Sequence, residues 1–529
     1  MILEKVLDHA VEHPNSIAIV DDKRTLTYRE MIYGGHLFVD HLRSLCPQSD
    51  YGDKVGILIP PTAAFAVALG GTRWDSRIAI PLNYLLKPEE LAAIVKDAGL
   101  KVIFTIEHFK PLAEAVAQQA GCRIIYFESL TFAKPGLAVM TSIALDPANL
   151  RKHVHPIPPR KDDDVAVIMY TSGTAGRPKG VMLTNRNLES NAIDSCQHAR
   201  FTQRTIFLGV LPMFHTLGLM GNLMIPLYLG SKMVFQARFS PVGVFELVQK
   251  HQIEVLIMVP TMYAVMANAK SGNAESLKSV KIALSGGEPL PVPLIGAFQQ
   301  KFNLTLMEGF GLTETAPIVA LSVPWAHKPG AVGKIIPDVQ VKTVDDDGHD
   351  LPPGVDGGEL YIKGPNVMKG YFNQPELTDE VLLPPDADGL RWFKTGDIAR
   401  LDEEGFLYIT GRKKDMIIMA GEKVFPREIE EAIKQHPSVL MAAVVGVKDP
   451  QRGELPVAFV QLKPEAGQEN SNLTKPTDQE IRNFVRQKIA PFKTPRDVYF
   501  LDQMPMTHTG KILKRELLAK IPPSSLQSS

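Results

Sequence analysis

Apolar and polar positions alternate with two different periods in the first part of the chain. Short apolar runs typical of buried strands occupy residues 54–60 and 78–82, and a third begins at residue 102. Between them, residues 62–69 and 87–98 have the longer spacing of apolar positions that is typical of helices. Strands that alternate with helices in this way form βαβ units around a largely parallel sheet. We therefore expect this part of the chain to be an α/β scaffold.

The same pattern predicts how the rest of the chain is divided. The alternation of strands and helices resumes between residues 164 and 324, and residues 330–410 then show β runs broken by turns, typical of a small antiparallel subdomain. An independent α/β pattern follows the polar stretch 411–415. The predicted fold class is α/β, with a large N-terminal domain of doubly wound sheets at residues 1–413 that includes the β subdomain. A smaller α+β C-terminal domain is expected at residues 414–529.

Composition and charge narrow the class of protein. The chain has 529 residues, 45% apolar and 22% charged, as in an ordinary globular protein, and it is too long for one hydrophobic core. Its 57 Lys and Arg residues balance 58 Asp and Glu residues, and no arginine-rich patch is present, so no nucleic-acid partner is expected. Three widely separated cysteines without metal-ligand spacing indicate free thiols in a reducing compartment.

The N-terminus and the apolar stretches indicate a cytoplasmic protein. The first five residues, Met-Ile-Leu-Glu-Lys, lack the basic and apolar regions of a signal peptide. The strongest apolar stretches, such as residues 255–266, are well short of the ~20 residues that span a bilayer. Peripheral contact with a membrane is left open in case the substrate is a lipid, and a homodimer is left open as well.

A loop dense in hydrogen-bond donors lies between the apolar runs 165–169 and 181–183. Residues 170–180, Tyr-Thr-Ser-Gly-Thr-Ala-Gly-Arg-Pro-Lys-Gly, combine glycines, hydroxyl groups and two cations. Glycines let backbone N–H groups approach an anion closely, and a cation adds a point charge, so a polyphosphate is the natural ligand. The Walker pattern is absent, because Pro178 precedes Lys179 and a glycine follows it. A solvated turn is the alternative interpretation.

A second loop, residues 308–315 with the sequence Glu-Gly-Phe-Gly-Leu-Thr-Glu-Thr, is more specific. Phe310 offers a flat apolar face on which a purine can stack. Thr313 can donate to a phosphate oxygen, and Glu314 is a hard oxygen ligand suited to Mg²⁺ beside phosphates. A polar loop after a strand is the alternative. Together with the phosphate loop upstream, the motif favours a nucleotide site.

These motifs resemble those of the adenylate-forming superfamily, which includes acyl-CoA synthetases, luciferases and the adenylation domains of peptide synthetases. The loop at residues 170–180 is similar to the family's phosphate-binding loop, and further motifs follow in the family's order as far as Lys511. The resemblance therefore covers nearly the whole chain. It implies that ATP or AMP is bound by Thr171, Ser172, Gly173, Thr174, Lys179, Gly287, Glu288, Pro289, Glu308, Gly309, Phe310, Gly311, Asp397 and Arg412.

The resemblance also implies which residues act in catalysis. Lys511 ends the stretch Pro-Met-Thr-His-Thr-Gly-Lys, which matches the family pattern P-x-T-x-x-G-K, and is expected to bridge the carboxylate of the substrate and the α-phosphate. His215 is expected to orient that carboxylate at the mouth of the acyl pocket. Thr313 and Glu314 complete the implied catalytic set. Glu314 and Thr171 are the implied ligands of Mg²⁺.

Further matches concern the C-terminal domain. The family pivots this domain at the residue that matches Lys414, which is therefore the expected hinge. After adenylation the swing would withdraw Lys511 and bring in the face with Ala420 and Gly421 for the arrival of CoA. Relatives commonly have two glycines there, so the extra methyl group of Ala420 is expected to narrow the path of the pantetheine arm.

The implied reaction joins a carboxylic acid to a thiol through an acyl-AMP, with ATP, Mg²⁺ and CoA as cofactor and co-substrates. Residues 81–83, 86–90 and 212–215 most resemble bacterial medium- to long-chain fatty-acid–CoA ligases, so a fatty acid is the expected partner. Gly218 and Gly221 either line a tunnel for its alkyl chain or serve core packing. The alternatives are an acyl-AMP ligase that delivers to a carrier protein and an aryl-acid–CoA ligase. A sensor that has lost turnover, or a scaffold for lipid enzymes, would not need the catalytic lysine.

Two polar features fall outside these motifs. Where relatives usually have a small Ala-Gly turn, residues 71–77 have the sequence Gly-Thr-Arg-Trp-Asp-Ser-Arg, and we expect a surface detail rather than an altered edge of the site. His9 and His13 have the i, i+4 spacing of two metal ligands. With no third ligand nearby in sequence, they are expected on an exposed helix face. The same interpretation applies to His153 and His155 in a proline-rich linker.

Overall fold

The computed structural model describes residues 2–130, 146, 148–171, 178–420, 422–449, 451–468, 471–506 and 512–521. Contacts between residues divide the chain into two compact units. The first unit comprises residues 1–287, 298–340 and 362–393, and the second comprises residues 288–297, 341–361 and 394–529. This division follows contacts rather than motion, so the domain boundary expected after residue 413 stays a prediction.

The helices are mostly amphipathic, and many of them begin at a capping side chain or a proline. Thr27 caps a helix of the first unit in a capping box with Glu30. The α-helices are α1 (Ile2–Glu12), α2 (Tyr28–Leu45), α3 (Gln48–Tyr51), α4 (Ala63–Trp74), α5 (Pro88–Asp97), α6 (Lys110–Ala120), α7 (Asn149–His153), α8 (Asn185–Ala199), α9 (Thr216–Leu219), α10 (Ile225–Leu229), α11 (Pro241–His251), α12 (Pro260–Asn268), α13 (Val292–Phe302), α14 (Pro375–Val381), α15 (Pro426–Lys434), α16 (Asp478–Arg486) and α17 (Lys514–Leu518). A π-helical turn, Met220–Met224, lies between α9 and α10, and short 3₁₀ turns lie at Glu107–Phe109, Phe127–Ser129, Ala274–Leu277, Thr313–Thr315, Lys413–Asp415 and Pro491–Lys493.

The strands coincide with the apolar runs. They are β1 (Ile17–Val20), β2 (Thr25–Thr27), β3 (Lys54–Leu58), β4 (Ile78–Pro81), β5 (Val102–Thr105), β6 (Arg123–Tyr126), β7 (Val165–Thr171), β8 (Lys179–Thr184), β9 (Ile206–Gly209), β10 (Lys232–Phe235), β11 (Val255–Met258), β12 (Ile282–Ser285), β13 (Leu306–Gly311), β14 (Ile318–Leu321), β15 (Gly333–Ile335), β16 (Gln340–Val344), β17 (Gly358–Lys363), β18 (Gly370–Tyr371), β19 (Phe393–Leu401), β20 (Phe406–Arg412), β21 (Ile417–Met419), β22 (Glu422–Val424), β23 (Val439–Asp449), β24 (Gly453–Leu462) and β25 (Asp497–Phe500).

The first unit contains two large mixed sheets. One has the strand order β18-β8-β7-β4-β3-β5-β6, in which β7, β4, β3, β5 and β6 run parallel and β8 returns antiparallel beside β7. In the other, the strands of this unit follow the order β15-β14-β13-β12-β11-β9-β10-β1-β2, with a parallel centre from β13 to β1. The central strands β5 and β11 are buried along their whole length, as expected of parallel strands that helices cover on both faces. The predicted α/β class with doubly wound sheets is confirmed.

The second unit contains antiparallel pairs and the C-terminal α+β fold. Strands β19 and β20 form an antiparallel pair in the region expected to be a β subdomain. The C-terminal sheet has the order β22-β21-β24-β23, with β25 parallel to β24. Helix α15 begins at Pro426, and its Ile429 and Ile433 pack with Ile481 and Val485 of α16 in a common core. The predicted small α+β arrangement is confirmed.

The segment at residues 71–77 is not a surface detail, and that expectation was wrong. Helix α4 continues to Trp74, which is 1% exposed, and Arg77 is equally buried. A Cβ at Gly71 would lie 2.7 Å from the ring of Phe38, so the glycine allows α4 to pack closely on α2. The segment is polar in sequence, but Arg77 and Asp75 form an ion pair in the interior at 2.9 Å, which a periodicity of apolar residues does not reveal.

Three of these four histidines, His9, His153 and His155, are also less exposed than expected. The ring of His9 packs edge-on against Tyr28 at 4.4 Å and lies beside Gly230. His155 is partly buried and its carbonyl accepts a hydrogen bond from the indole of Trp74 at 3.1 Å. His13 is exposed, as expected.

The expected free thiols are confirmed, because Cys46, Cys122 and Cys196 are buried and unbridged. Within the part of the chain that the structure describes, no helix combines the length and the apolar character needed to cross a membrane.

Candidate active site

The hairpin of β7 and β8 positions the ends of the predicted phosphate loop. Thr171, the last residue of β7, lies opposite Lys179, the first residue of β8. The hairpin is fixed at its neighbour Tyr170, whose hydroxyl donates to Asp97 at 2.6 Å. Thr171 and Lys179, which the sequence predicted to bind phosphate, are both partly buried. The other predicted residues of this loop, Ser172, Gly173 and Thr174, lie outside the described residues.

A tyrosine that the sequence did not single out contacts both a predicted acid and a predicted cation. The hydroxyl of Tyr371 donates to Oε1 of Glu314 at 2.8 Å. The ammonium of Lys179 lies 5.3 Å from the centre of the same ring. The carbonyl of Glu314 also accepts from the N–H of Met368 at 2.8 Å, so both the backbone and the side chain of Glu314 are held by residues 368–371. Lys179 and Glu314 are therefore brought to the same place.

Strand β13 presents the second motif at the carboxyl end of the parallel sheet. Glu308 lies opposite Ser285 of β12 in a parallel register. A Cβ at Gly311 would lie 2.0 Å from the carbonyl oxygen of Pro317, and one at Gly309 would lie 2.8 Å from Leu321. Only glycine allows these close approaches, so the two glycines shape the strand end. Phe310 lies between them and is partly buried. The pairing of β13 with β14 shifts register between Phe310 and Gly311.

Thr313 and His215 are placed near each other through Thr216. The hydroxyl of Thr216 donates to that of Thr313 at 3.4 Å, and His215 is the exposed residue that precedes α9. The ring of the buried Phe214 lies 4.6 Å from that of His215 and 4.9 Å from that of Tyr84. The structure therefore brings the implied carboxylate-orienting histidine and phosphate-binding threonine to one region of the first unit.

The glycines around α9 pack closely against neighbouring groups. A Cβ at Gly218 would lie 2.3 Å from the carbonyl oxygen of Pro212, and one at Gly221 would lie 2.7 Å from Ile257. This geometry favours core packing over a tunnel at these two positions. Gly287 has a left-handed φ of +84°, which glycine adopts without strain, and ends the strand–turn motif.

Glu288 and Pro289, the remaining predicted residues of that motif, belong to the second unit. Glu288 is partly buried and Pro289 is exposed.

The second unit pairs two residues that the sequence analysis treated separately. Asp397 of β19 lies opposite Arg412 of β20, and Oδ1 of Asp397 accepts from Nε of Arg412 at 2.6 Å. The carboxylate is 3% exposed, whereas the guanidinium is 44% exposed. Within β19, the N–H of Asp397 donates to the hydroxyl of Thr395 at 3.0 Å. The arrangement is a buried carboxylate partly neutralised by a solvent-facing cation.

The expected hinge and acceptor positions are exposed. Lys414 lies in the 3₁₀ turn Lys413–Asp415. Its neighbour Lys413 donates to Glu359 at 2.8 Å, and this bond raises the pKa of Lys413. Ala420, between β21 and β22, has a left-handed φ of +51° and donates its N–H to the carbonyl of Arg452 at 2.7 Å. Gly421 and Lys511 lie outside the described residues.

Sequence reasoning missed Tyr371 and the pairing of Asp397 with Arg412. Tyr371 lies 57 residues from Glu314, and neither residue has a spacing that predicts the other. The pairing of Asp397 with Arg412 had a usable signal, because the two residues lie on consecutive β runs joined by a short turn, a pattern that predicts a hairpin.

Comparison with known proteins identifies the families that the chain matches. The chain matches the AMP-binding enzyme family over residues 6–372 and the AMP-binding enzyme C-terminal domain over residues 428–511. It is 32% identical to a long-chain-fatty-acid–CoA ligase of Bacillus subtilis (strain 168), over 98% of the chain and 94% of the relative. It is 33% identical to a feruloyl-CoA synthase of an Amycolatopsis species, over 95% of the chain and 96% of the relative.

A solved structure shows the same fold. The o-succinylbenzoate–CoA synthetase of Bacillus subtilis in complex with ATP and a magnesium ion is 27% identical. The alignment covers 97% of this chain and 99% of that chain, with a TM-score of 0.79.

Proposed function

The chain belongs to the AMP-binding enzyme family and is an adenylate-forming acid–CoA ligase, and from that premise we propose that its acid is a fatty acid. The proposal rests on the similarity to the long-chain-fatty-acid–CoA ligase, which extends over 98% of the chain. The apolar character of residues 216–229, beside the implied carboxylate-orienting His215, supports it. A substrate with a single carboxylate and an alkyl chain suits a site of this kind.

The reaction has two balanced steps. A carboxylate oxygen of the acid attacks the α-phosphorus of ATP, the bond from that phosphorus to the bridging oxygen breaks, and pyrophosphate leaves. The sulfur of CoA then attacks the acyl carbon, its proton is lost, and AMP leaves with the carboxylate-derived oxygen. The first step brings two anions together, so its barrier is mainly electrostatic. Fixed positive charge in a site that excludes water lowers such a barrier.

The first unit supplies groups that suit this electrostatic task. We assign Lys179 to the departing pyrophosphate and Thr313 to the α-phosphate. Glu314 fits a ligand of Mg²⁺, because its carboxylate is hard and is fixed by the Tyr371 hydroxyl at 2.8 Å. When bound, Mg²⁺ would neutralise charge on the phosphates.

Phosphate oxygens, water and the hydroxyl of Thr171 would complete the coordination of that ion. Among the described residues, the sets of three imidazole, thiol or carboxylate groups that could share a metal lie elsewhere, at His36–Asp40–His155 and Asp345–Asp347–His349. A site that leaves most positions to phosphate and water is typical of Mg²⁺.

The second unit supplies the ribose contacts in this proposal. The carboxylate of Asp397 is 3% exposed and can accept from ribose hydroxyls. Arg412 donates to its Oδ1 and would orient the buried carboxylate. Lys414 is assigned to the hinge, Ala420 and Gly421 to the path of CoA, and Lys511 to the bridge between substrate carboxylate and α-phosphate.

The aryl acids form the second candidate class. The feruloyl-CoA synthase is 33% identical over 95% of the chain, and this value is similar to that of the fatty-acid ligase. Discrimination of single methylene groups is weak, at ~1 kcal/mol each, so the class of acid rather than its chain length is the informative comparison.

A panel of acids tests the substrate. Purified protein with ATP and Mg²⁺ is given straight-chain acids from acetate to stearate, and ferulate and benzoate, with either CoA or a phosphopantetheinylated carrier protein. We expect acyl-CoA from the medium- and long-chain acids and free CoA. Turnover of ferulate alone would replace the fatty acid by an aryl acid, and acylation of the carrier alone would replace CoA as acceptor.

A further inference from the structure

Three buried asparagines of the first unit connect helix α8 with the chain segments around Glu314. We call Asn187, Asn191 and Asn366 the amide bridge, and all three side chains are buried. Asn187 and Asn191 lie one turn apart on α8, whereas Asn366 lies just before β18. None of the three belongs to the residues assigned above, so their role in the site is open.

Asn187 fixes the main chain on both sides of Asn366. Its Nδ2 donates to the carbonyl of Pro365 at 2.8 Å and to that of Val367 at 2.7 Å. Its Oδ1 accepts the N–H of Thr184 at 2.8 Å, in the capping box that begins α8. Thr184 is the last residue of β8, the strand that follows the phosphate loop. The position of Asn366 is therefore tied to that strand.

Asn366 and Asn191 hold the turn that directly follows Glu314. Nδ2 of Asn366 donates to the carbonyl of Thr315 at 2.9 Å and to that of Ile318 at 3.3 Å. Asn191 binds the main chain of Ile318 twice, because its Nδ2 donates to the carbonyl at 2.7 Å and its Oδ1 accepts the N–H at 3.1 Å. Both ends of the turn are therefore bonded to buried amides.

The same turn contains a strained residue. Ala316 is buried and has a left-handed φ of +64°. A residue with a Cβ rarely adopts this conformation, and it persists where the surrounding structure fixes the chain on both sides. Nδ2 of Asn366 spans the strained residue, because its two acceptor carbonyls lie before and after it. Loss of this amide should let the turn relax and the adjoining Glu314 move with it.

We propose that Asn366 is a positioning residue, which acts through the main chain of Thr315 to fix the carboxylate of Glu314 for Mg²⁺. The inference rests on the proposed function, in which Glu314 is a ligand of that ion. The segment that begins with Asn366 also holds Glu314 directly, since the N–H of Met368 donates to its carbonyl and the hydroxyl of Tyr371 to its carboxylate, each at 2.8 Å. Groups that orient a metal ligand typically change the affinity for the metal by roughly 10- to 100-fold.

The chemistry of a primary amide suits this task. Its nitrogen has two N–H donors, and the groups to be held are two carbonyl oxygens. Oδ1 of Asn366 has no hydrogen-bond partner in the part of the chain that the structure describes. The donor half of the side chain is therefore the half in use. A side chain of the same shape without donors would take from the carbonyl of Thr315 its bond to the bridge.

The contribution of Mg²⁺ to ATP binding tests the proposal. Titration calorimetry on the full chain gives the Kd of ATP with Mg²⁺ and with EDTA, and the ratio of the two values measures how much the ion tightens binding. Asn366→Leu keeps the approximate shape of the side chain and removes both donors. We expect this variant to lower the ratio about tenfold relative to wild type, while the Kd of ATP in EDTA stays within about twofold.

Tyr28→Phe is the matched control for loss of a buried hydrogen bond. The hydroxyl of Tyr28 is buried in the same unit and donates to the carbonyl of Ser231 at 2.7 Å. Both variants should lower the midpoint of thermal unfolding, because each leaves a buried carbonyl with one bond fewer. Tyr28→Phe should nevertheless keep the wild-type contribution of Mg²⁺. A purely structural role of Asn366 would make the two variants alike in both measurements.

A double variant shows whether Asn366 acts through Glu314. In a Glu314→Gln background, Asn366→Leu should not lower the contribution of Mg²⁺ any further, because the carboxylate that it positions is gone. Should Asn366→Leu fold poorly, Asn366→Asp decides in its place, since it keeps the shape and turns acceptor oxygens toward the same carbonyls. A wild-type ratio in the single variant, or a further loss in the double variant, would overturn the inference.

The same measurements separate this inference from the proposed function. A wild type that binds ATP more tightly with Mg²⁺ but activates no fatty acid would overturn the proposed substrate and leave the role of Asn366 standing. A wild type in which Mg²⁺ adds nothing to ATP binding would overturn the assignment of Glu314 and, with it, that of Asn366.

Discussion

Tyr371 connects the two charged groups that define the first unit's part of the site. Its hydroxyl donates to Glu314, and its ring lies beneath the ammonium of Lys179. The sequence predicted Glu314 and Lys179 from the motifs that contain them. It had no signal for Tyr371, because a contact between distant residues leaves no periodic pattern, and only the fold brings the three together.

Removal of the Tyr371 hydroxyl tests that contact. Tyr371→Phe leaves the ring but takes one hydrogen bond from a carboxylate, which is worth about 1.5–3 kcal/mol. We expect kcat/KM for adenylation to fall roughly tenfold to a hundredfold and the Mg²⁺ requirement to rise. Tyr126→Phe removes a hydroxyl 3.4 Å from Glu114 on the surface and is the control. Equal rates for the two variants in pyrophosphate exchange would contradict the role of Tyr371.

Asp194 should make stability depend on pH. Burial, with a smaller effect of Asp338, raises its pKa from 3.8 to about 7. The folded state then binds a proton that the unfolded state releases, so the free energy of unfolding falls as pH rises through that window. The free energy of unfolding of wild type should fall on the order of 1–2 kcal/mol over this range, and Asp194→Asn should not show this fall. Urea unfolding at about pH 5 and pH 8 measures it, and an unchanged difference in the variant would contradict the assignment.

Elements were predictable where one physical cause dominates. Buried parallel strands such as β5 and β11 have continuous apolar runs, and a proline at the first position of α15 starts a helix. The segment 71–77 was misjudged because the rule that charged residues are exposed fails when they pair in the interior. Helix α4 extends through Trp74 since close packing at Gly71 continues the contact with α2.

The turn between β21 and β22 contains a strained position. Ala420 has φ of +51°, a conformation that costs a residue with a Cβ roughly 1–2 kcal/mol. Ala420→Gly should relieve the strain, but glycine also loses more backbone entropy on folding. The free energy of unfolding should therefore rise by up to about 1 kcal/mol. If the methyl group narrows the path of CoA, thioester formation should also become faster. Ala420→Val should do the reverse, and a stability unchanged in both variants would contradict the strain.

The molecule consists of two compact units, and Lys511, the lysine proposed to be catalytic, belongs to the second. The first unit holds Lys179, Thr313 and Glu314, and the second holds Asp397, Arg412 and Lys414. Membership in the family implies that the C-terminal domain takes different positions in the two half-reactions. Kinetics of the separate half-reactions test this expectation.

Lys511→Ala separates the half-reactions. Loss of the bridging cation should lower the rate of adenylation by at least ~10²–10³, while thioester formation from supplied acyl-AMP and CoA stays near that of wild type. Lys520→Ala, another lysine of the C-terminal domain, is the matched control. Equal loss in both half-reactions would show that Lys511 serves the fold or both steps rather than adenylation.

The central claim is that this chain activates a fatty acid as its adenylate. Exchange of label from pyrophosphate into ATP, measured without CoA and with Mg²⁺, tests it most directly, since it reports reversible formation of acyl-AMP. We expect exchange that depends on an added medium- or long-chain fatty acid and is strongly reduced in Glu314→Gln. The absence of exchange with every fatty acid, whether or not an aryl acid supports it, would contradict activation of a fatty acid by this chain.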